Sequence, residues 1–491
     1  MTQDFLKDFL KYLPAQITPA LVGFITVPII TRLFPPGDYG NYVLAMATIN
    51  IMITIIGWLG MSIIRFYPAY ERDNKQEYLY TSIVKLLFIS LTVLTAVFLS
   101  ILLIFKSFIP SQLYYLMLVG TGIFILMSVF QVLQHFLMAR RQVSWYTGFS
   151  VWHSVAALGI GITLAMRFRY GVEGLLWGYI LSLTVVLPLL WKITLGRQAF
   201  LSGKRISIEL TKEMAKYGLP LVVGNLAAWI LSLSDRYVLE FFQGAQEVGI
   251  YSASYTISEY GITILVSLFM LSAGPISMNI WEKEGMEKGR EFITRITRYY
   301  LLLCLPATVG LSVLAKPAIE VLTAPEYHGA YHIMPFVSFG AFFLGLQQRF
   351  QSGLVFYKRT NLIMAAVIVS GLLNLGLNFW LVPIYGYMAA AVTTFISYAF
   401  LLGVMIIVSR KYFVFDFPFK SLAKAACASA VMAAVVYPVG NSITSSAMAN
   451  LFLGIVVGIV VYILMIFLLR EPQKEEIQEM RIIRARIRGR K

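Results

Sequence analysis

Ionisable side chains interrupt several long apolar segments of this sequence. The basic ones are Arg65, Lys85, Arg236 and Arg349, and the acidic ones are Asp235 and Glu259. A charged group at membrane depth is costly if it faces lipid, so these side chains are expected to face a bundle interior or a water-filled cavity. The excess of basic groups predicts a cationic cavity that takes an anionic substrate.

Arginine and amide groups share helical faces in a way that suits a phosphate-linked sugar, because arginine binds phosphate through a bidentate fork and amides bind hydroxyl groups. Two polar stripes follow helical spacing: Asn50, Thr54, Met61 and Arg65, and Asn225, Trp229, Ser232 and Arg236. Two further groups are Ser128, Gln131 and His135, and Gln347, Gln348, Arg349, Gln351 and Ser352. The predicted substrate-binding set is Arg65, Arg236, Arg349, Gln131, His135, Asn225 and Gln348.

Each of these residues also has a structural interpretation. Arg65 and Arg349 lie close enough to the interface to snorkel to lipid phosphates, and His135 could be a hydrogen-bonded packing residue. Arg236 could pair with a structural carboxylate. Because adjacent helical residues diverge, Asp235 is expected to bind a neighbouring helix and not Arg236. The glutamines could join helices.

Two carboxylates, Glu259 and Asp235, are candidates for binding a coupling ion, H⁺ or Na⁺. Glu259 lies near the middle of an apolar segment with hydroxyl side chains one turn to either side, and burial there would favour its protonated form. The alternative is a structural ion pair with an arginine such as Arg236. No other cofactor and no metal site are predicted, because His328 and His332 have no further ligand motif beside them.

The elements that position these residues are about fourteen apolar stretches, each long enough to cross about 30 Å of hydrocarbon. They cover residues 13–34, 41–67, 81–105, 113–138, 145–166, 173–193, 216–242, 248–275, 299–315, 331–356, 361–382, 386–408, 419–437 and 450–469. Short polar connections separate them. The sequence therefore predicts an all-α integral membrane protein.

Charge is distributed unequally between the connections. The chain has 40 Lys and Arg against 24 Asp and Glu, a net charge of +16. When alternate connections are assigned to alternate sides, one side receives only Arg32, Lys106, Arg167, Arg169 and Lys316. The positive-inside rule makes the other side cytoplasmic and places both termini there. Topology and attraction to anionic membrane lipids thus explain the charge, and nucleic-acid binding is not supported.

The sequence contains an internal repeat. Residues 34–42 (FPPGDYGNY) resemble residues 242–251 (FQGAQEVGIY), each with an acidic residue, a glycine and a tyrosine at the same spacing. Lys11-Tyr12-Leu13-Pro14 is echoed at 216–220, and Gly171-Val172-Glu173-Gly174 at 386–389. Six helices separate the copies, so two parallel six-helix bundles around a central cavity are predicted.

The predicted organisation has five parts. Residues 1–195 form an N-terminal six-helix bundle, 196–215 a cytoplasmic linker, 216–410 a C-terminal six-helix bundle and 411–469 two additional transmembrane helices. Residues 470–491 form a basic cytoplasmic tail, whose part from Glu471 has the pattern of an amphipathic surface helix.

These residues together carry a family resemblance. The Lys-Tyr-Leu-Pro opening, the turn from Asp38 to Tyr42, Arg65-Phe66-Tyr67-Pro68, the Asp235-Arg236 pair, and Asn374, Asn378, Pro383 and Gly386 resemble the polysaccharide-exporter and O-unit flippase family. That family belongs to the multidrug/oligosaccharidyl-lipid/polysaccharide superfamily. The resemblance implies that a prokaryotic cell-membrane transporter flips a polyprenyl-pyrophosphate-linked oligosaccharide to the outer leaflet for cell-surface polysaccharide assembly. It also implies polysaccharide-assembly proteins as partners.

Two other classes of membrane protein are alternatives to this interpretation. A membrane glycan polymerase or ligase would carry a substantial extracytoplasmic loop with catalytic residues, whereas the long connections here are predicted to be cytoplasmic and basic. A transporter and not an enzyme is therefore expected. A cation-coupled multidrug or metabolite extruder of the same superfamily would favour an acidic and aromatic pocket, whereas the ionisable groups here are mostly basic.

Overall fold

The computed structural model describes residues 2–196, 207–442 and 446–472. These residues form fifteen α-helices, two short 3-10 helices at Lys106–Phe108 and Pro325–Ile333, and no strand. The helices are α1 Thr2–Leu33, α2 Pro36–Ile56, α3 Trp58–Arg72, α4 Gln76–Ile104, α5 Ser111–Ala139, α6 Val143–Arg167, α7 Glu173–Thr194, α8 Ile208–Gln243, α9 Ala245–Glu284, α10 Met286–Val313, α11 Ala315–Leu322, α12 Met334–Phe356, α13 Thr360–Ser409, α14 Phe419–Ser442 and α15 Ala447–Leu468. The predicted fold class is confirmed.

Each predicted apolar segment falls on one helix or on two consecutive helices. Within the described ranges, twelve helical stretches are long and apolar enough to cross a membrane. The second segment is divided at Gly57, the cap residue between α2 and α3. The chain is thus a multi-pass membrane protein.

Helix α13 holds two predicted segments, separated by the non-helical Gly386 with φ 60° and ψ −143°. Glycine suits this left-handed conformation because it has no Cβ. Thr393 Oγ1 donates to Asn378 Oδ1 at 3.0 Å, although a straight helix would separate these two residues by about 22 Å. The chain therefore folds back at Gly386, and α13 is a helical hairpin.

The repeat has a structural counterpart at this glycine. Gly171 precedes α7 with φ 61°, and Gly386 precedes the second arm of the α13 hairpin with φ 60°. The two glycines hold the same place in the repeated sequence 171–174 and 386–389. The sequence similarity is accompanied by nearly the same positive φ angle, which supports a true repeat.

The chain divides into two compact units. Unit 1 contains Met1–Thr256 and Met364–Ser397, and unit 2 contains Ile257–Ile363 and Tyr398–Lys491. The divisions fall inside α9 and inside α13, at other places than the predicted bundle boundaries. The arrangement as two six-helix bundles stays a prediction.

Helices α6 and α7 of unit 1 pack through small residues. A Cβ added to Gly178 would overlap the carbonyl oxygen of Ala157 and lie 2.5 Å from Gly161 Cα. One added to Gly174 would lie 2.7 Å from Ala165 N. Small residues one turn apart on both helices let the backbones approach closely, as is typical of membrane helix pairs.

Unit 2 holds the end of α15 through a buried ion pair. Arg298 Nε donates to Glu471 Oε1 at 2.9 Å, and the two side chains are 6% and 4% exposed. Ser421 Oγ donates to the same oxygen at 2.5 Å, and Lys424 Nζ lies 3.0 Å from Oε2. Burial by itself would raise the pKa of the Glu471 carboxyl, but the Ser421, Arg298 and Lys424 donors outweigh it and hold this pKa below its ordinary value.

The last residues of the predicted linker 196–215 are helical. Helix α8 begins at Ile208 because Ser207 caps it, its hydroxyl accepting a hydrogen bond from Leu210 N at 3.2 Å. Residues 197–206, and the predicted basic tail from residue 473, lie outside the described residues.

Candidate functional site: a buried polar cluster around Asp235

Asp235 is the centre of a buried polar cluster in unit 1. Its side chain lies on α8 and the residue is only 1% exposed. Tyr251 Oη, from α9, donates to Asp235 Oδ2 at 2.5 Å, and Thr394 Oγ1, from the α13 hairpin, lies 3.4 Å from the same oxygen. The expectation that Asp235 binds neighbouring helices is confirmed.

The expectation that Asp235 does not pair with Arg236 is wrong. Arg236 Nη1 lies 3.0 Å from Asp235 Oδ1, and Arg236 N donates to the same oxygen at 2.8 Å. The guanidinium folds back along the helix to donate to the carbonyl oxygen of Ser232 at 3.0 Å. The same nitrogen, Nη1, contacts both Ser232 O and Asp235 Oδ1, so the length of the arginine side chain overcomes the divergence of adjacent positions.

Two tyrosines enclose the Arg236 guanidinium. Its carbon lies 4.5 Å from the ring centre of Tyr255 and 5.6 Å from that of Tyr251, and a cation over an aromatic face is stabilised by the ring quadrupole. Arg236 is 3% exposed. In this conformation it therefore has little surface to offer a substrate.

The two arms of the α13 hairpin supply amide and hydroxyl groups beside the aspartate. Asn378 Nδ2 donates to Asn374 Oδ1 at 3.0 Å, and Ser234 Oγ lies 3.5 Å from that same oxygen. Asn374 Nδ2 lies 3.4 Å from Thr394 Oγ1, the group that contacts Asp235. Both asparagines are fully buried. They join the two arms of the hairpin, and Asn374 bonds the Thr394 hydroxyl that lies beside the Asp235 carboxylate.

Beside the Arg236 nitrogens, Asp235 has two neighbouring hydroxyl oxygens, those of Tyr251 and Thr394, and such oxygens suit a small hard cation or a shared proton. One carboxylate and several amide and hydroxyl oxygens are the ligand types that alkali and alkaline-earth ions take in proteins. A cation at Asp235 is therefore chemically able to take the place of the Arg236 guanidinium beside the carboxylate.

The other predicted residues of unit 1 differ in exposure. Arg65 and Asn225 are exposed, whereas Gln131 and His135 are half-buried. His135 Nδ1 lies 2.6 Å from the carbonyl oxygen of Gln131, and a Cβ on Gly60 would lie 2.6 Å from that ring nitrogen. These contacts favour a packing role for His135 and leave Arg65 as the accessible guanidinium.

Unit 2 contains the remaining predicted residues. Arg349 is 3% exposed and its guanidinium lies 5.7 Å from the ring centre of Tyr300, so it does not snorkel to the interface. Gln348 is half-buried, and Glu259 is half-buried with its carbonyl oxygen accepting a hydrogen bond from Thr263 at 2.8 Å. The structure brings Asp235 and Arg236 together in unit 1 and places Glu259, Gln348 and Arg349 in unit 2.

The two hydroxyl groups that contact Asp235 were not predicted from the sequence. Tyr251 was recognised only as the tyrosine that ends a repeat copy, and Thr394 was not singled out. A signal was present for Thr394, because it follows Thr393 directly in an otherwise apolar helix, and hydroxyl groups in membrane helices commonly bond across helices.

Comparison with known proteins finds two family models. The family described as "Polysaccharide biosynthesis protein" matches residues 5–281, and the MatE family matches residues 220–380. The "Probable flippase AglR" of Haloferax volcanii is 27% identical over 395 residues, which cover 78% of this chain and 79% of that protein. The "Uncharacterized membrane protein MJ1068" of Methanocaldococcus jannaschii is 21% identical over 426 residues, covering 80% and 81%.

Solved structures share the fold. "Lipid II flippase MurJ, inward closed conformation" matches with a TM-score of 0.73 and 16% identity, over 94% of this chain and 99% of that one. An inward-facing multidrug resistance MATE family transporter matches with a TM-score of 0.65 and 14% identity, over 81% and 97%.

Proposed function

Because the chain belongs to the polysaccharide biosynthesis protein family of the multidrug/oligosaccharidyl-lipid/polysaccharide superfamily, we propose that it flips a polyprenyl-pyrophosphate-linked oligosaccharide between leaflets. The family match confirms the resemblance read from the sequence. It also confirms the expectation of a transporter and not an enzyme. The flippase name of the H. volcanii relative, aligned along most of both chains, supports a flippase.

The observation that carries this proposal is an exposed arginine within an apolar span. Arg65 lies in the membrane-spanning stretch Pro36–Arg72 and its side chain is exposed, whereas Arg236 and Arg349 are buried. An exposed guanidinium near the end of a span is well placed to bind an anionic group, and a pyrophosphate offers bidentate acceptors. Arg65 is therefore the proposed pyrophosphate contact, with the exposed Asn225 among the glycan contacts.

The proposed cycle is alternating access. The head group enters from the cytoplasmic side, the polyprenyl tail stays in the bilayer, and a rocking movement releases the glycan outside. Both termini face the cytoplasm of a prokaryotic cell in this scheme, since the basic connections lie on that side. Anionic lipids and polysaccharide-assembly proteins are the proposed partners.

The coupling ion is proposed to bind at Asp235. Arg236 now neutralises the carboxylate at 3.0 Å, so Na⁺ or H⁺ would compete with this guanidinium for the same oxygens. Binding of the ion would release Arg236, and release of the ion would restore the pair. Glu259 is the second candidate, because it lies half-buried on α9.

The test is transbilayer movement of a fluorescent polyprenyl-pyrophosphate oligosaccharide in proteoliposomes. Loss of a charge-assisted phosphate contact in Arg65→Ala should slow flipping by about tenfold or more. Arg72→Ala is the matched control, since Arg72 ends the same helix and its side chain is 79% exposed. Equal flipping by both variants would refute the phosphate contact.

The ion is tested in the same vesicles by varying Na⁺ and pH. Asp235→Asn should remove the ion dependence while Glu259→Gln keeps it, and the reverse result would move the coupling site to Glu259. The second candidate function is multidrug extrusion, which the MatE family match over residues 220–380 favours. Uptake of organic cations without any glycolipid movement would establish that alternative.

A further inference from the structure

A basic cleft lies in unit 2 where α14 begins and α15 ends. It has a volume of about 760 Å³, and four cationic side chains and two carboxylates line it. The cations are Arg298, Lys420, Lys424 and Arg470, and the carboxylates are Asp416 and Glu471. The cleft therefore has an excess of positive charge and suits an anionic ligand.

The Glu471 carboxylate binds two of these cations and leaves the other two accessible. Arg298 Nε lies 2.9 Å from Glu471 Oε1, and Lys424 Nζ lies 3.0 Å from Oε2. Lys424 Nζ also donates to the carbonyl oxygen of Arg470 at 3.0 Å. These bonds hold α10, α14 and the end of α15 together around the cleft. The side chains of Lys420 and Arg470 are exposed, so their charges can reach a ligand.

Arg470 has a backbone conformation that glycine usually takes. Its φ is 50°. Arg470 N donates to the carbonyl oxygen of Phe467, and Glu471 N donates to that of Ile466, both at 3.1 Å. This is the Schellman motif that ends many helices, in which glycine is the usual residue with positive φ. Replacing Arg470 by glycine therefore removes the guanidinium without weakening the end of α15.

An apolar cleft adjoins the basic one. It has a volume of about 580 Å³ and shares Asp416, Phe417 and Phe419 with the basic cleft. Its other lining residues include Leu346, Phe350, Ile406 and Leu422, all in unit 2. The Phe419 ring is 71% exposed. A cationic cleft beside an apolar one matches the two parts of a phospholipid, the phosphate head group and the acyl chain.

Both clefts lie at a boundary of the membrane. The stretches Phe419–Gly440 and Ala447–Leu468 are each long and apolar enough to cross a bilayer. The basic cleft is at the beginning of the first and directly after the end of the second, which is the level of the lipid head groups. The positive-inside rule assigns this boundary to the cytoplasmic leaflet.

We propose that the basic cleft binds the head group of an anionic phospholipid of the surrounding membrane, such as phosphatidylglycerol, while an acyl chain occupies the apolar cleft. The exposed Lys420 and Arg470 side chains bind the phosphate, because charge-assisted hydrogen bonds to phosphate are strong. One residue opens α14 and the other follows α15, so the lipid joins the two helices. A free phosphate ion has the same charge but no part that fills the apolar cleft.

The test is native mass spectrometry of the full chain in micelles of uncharged detergent, with equal amounts of phosphatidylglycerol, phosphatidylethanolamine and phosphatidylcholine. Wild type should retain phosphatidylglycerol in preference to the other two lipids. Lys420→Ala combined with Arg470→Gly should lower the affinity for phosphatidylglycerol by about tenfold or more. Lys283→Ala combined with Lys411→Ala is the matched control, because it removes the same charge from exposed positions of unit 2 that do not line the cleft.

An equal loss of phosphatidylglycerol from the control pair would overturn the site, and so would equal retention of the three lipids by wild type. Thermal unfolding in the same micelles is the second measurement. Without lipid, the Lys420→Ala, Arg470→Gly chain should melt at the temperature of wild type. Phosphatidylglycerol should raise the melting temperature of wild type and of the control pair, but not that of the cleft variant.

Inorganic phosphate distinguishes the two sources of a phosphate group. It should leave the melting temperature of wild type unchanged, and a rise equal to that with phosphatidylglycerol would show a site for the free ion and contradict the lipid. None of these measurements uses transport, so their outcome is independent of the proposed glycolipid cargo.

Discussion

Replacing Glu471 by glutamine should strongly destabilise unit 2. The substitution keeps the shape of the side chain but removes the negative charge that neutralises Arg298, whose side chain is only 6% exposed. Breaking a buried ion pair by removing one member costs about 3 kcal/mol or more, because the remaining charge stays buried without compensation. Lys424, 3.0 Å from the same carboxylate, would lose its ion pair as well.

Equilibrium unfolding in mixed micelles, followed through the 8 tryptophans of the chain, measures this cost. The pKa of the Glu471 carboxyl is held below its ordinary value, so its contribution to the free energy of unfolding is complete above the unfolded pKa. It is lost as the pH falls through the lower folded pKa. The difference between wild type and Glu471→Gln should therefore be full at neutral pH and shrink below pH 4.5.

A double-mutant cycle decides whether the pair itself is responsible. Arg298→Gln combined with Glu471→Gln should cost less than the sum of the single variants, because each removes the same interaction. Glu291→Gln is the control, since Lys288 and Glu291 form an exposed pair at 2.8 Å and exposed pairs contribute little. Additive costs, or an equal loss of stability from the control, would refute the reasoning.

Two further substitutions test packing, and each is compared with the same substitution at a loosely packed or exposed position. Gly178→Ala forces a Cβ onto the backbone of Ala157 and should cost about 1–3 kcal/mol of unfolding free energy. Gly159→Ala should cost almost nothing, because no atom lies within 4 Å of a Cβ there. Equal melting temperatures of the two variants would contradict the close α6–α7 packing. Phe413→Ala removes a ring that is 2% exposed and packs edge-on against Trp281 and Phe356, and it should cost about 3 kcal/mol of unfolding free energy. Phe419→Ala removes a ring that is 71% exposed and should cost less; comparable losses would argue against tight packing around Phe413.

The sequence was sufficient for the helices and for the repeat. Apolar length alone located the spans, because the bilayer sets how many residues a helix needs to cross it. The repeated turn could be recognised because its glycine and tyrosine keep their spacing in both copies. The close approach of the two copies, in which a Cβ on Gly40 would lie 3.0 Å from Gly249 N, could not be predicted this way, since residues so distant in the chain meet only through tertiary packing.

The candidate site was predicted only in part. Asp235 and Arg236 stood out because charges in apolar helices are rare, but their pairing depends on a side-chain rotamer that backbone spacing does not determine. Sequence position gave the depth of Arg349 along its helix and not the face it occupies, so its burial against Tyr300 was not foreseen. Thr394 reaches Asp235 only because the chain reverses at Gly386.

That reversal has a consequence for how the protein enters the bilayer. An asparagine at the centre of an isolated helix opposes insertion, because its amide loses water and finds no acceptor in hydrocarbon. Asn378 bonds Thr393 and Asn374 bonds Thr394 within one hairpin, so these four polar side chains meet inside a contiguous stretch of chain. The reversal at Gly386 therefore favours insertion of the two arms as a pair, with their polar groups bonded to each other and shielded from lipid.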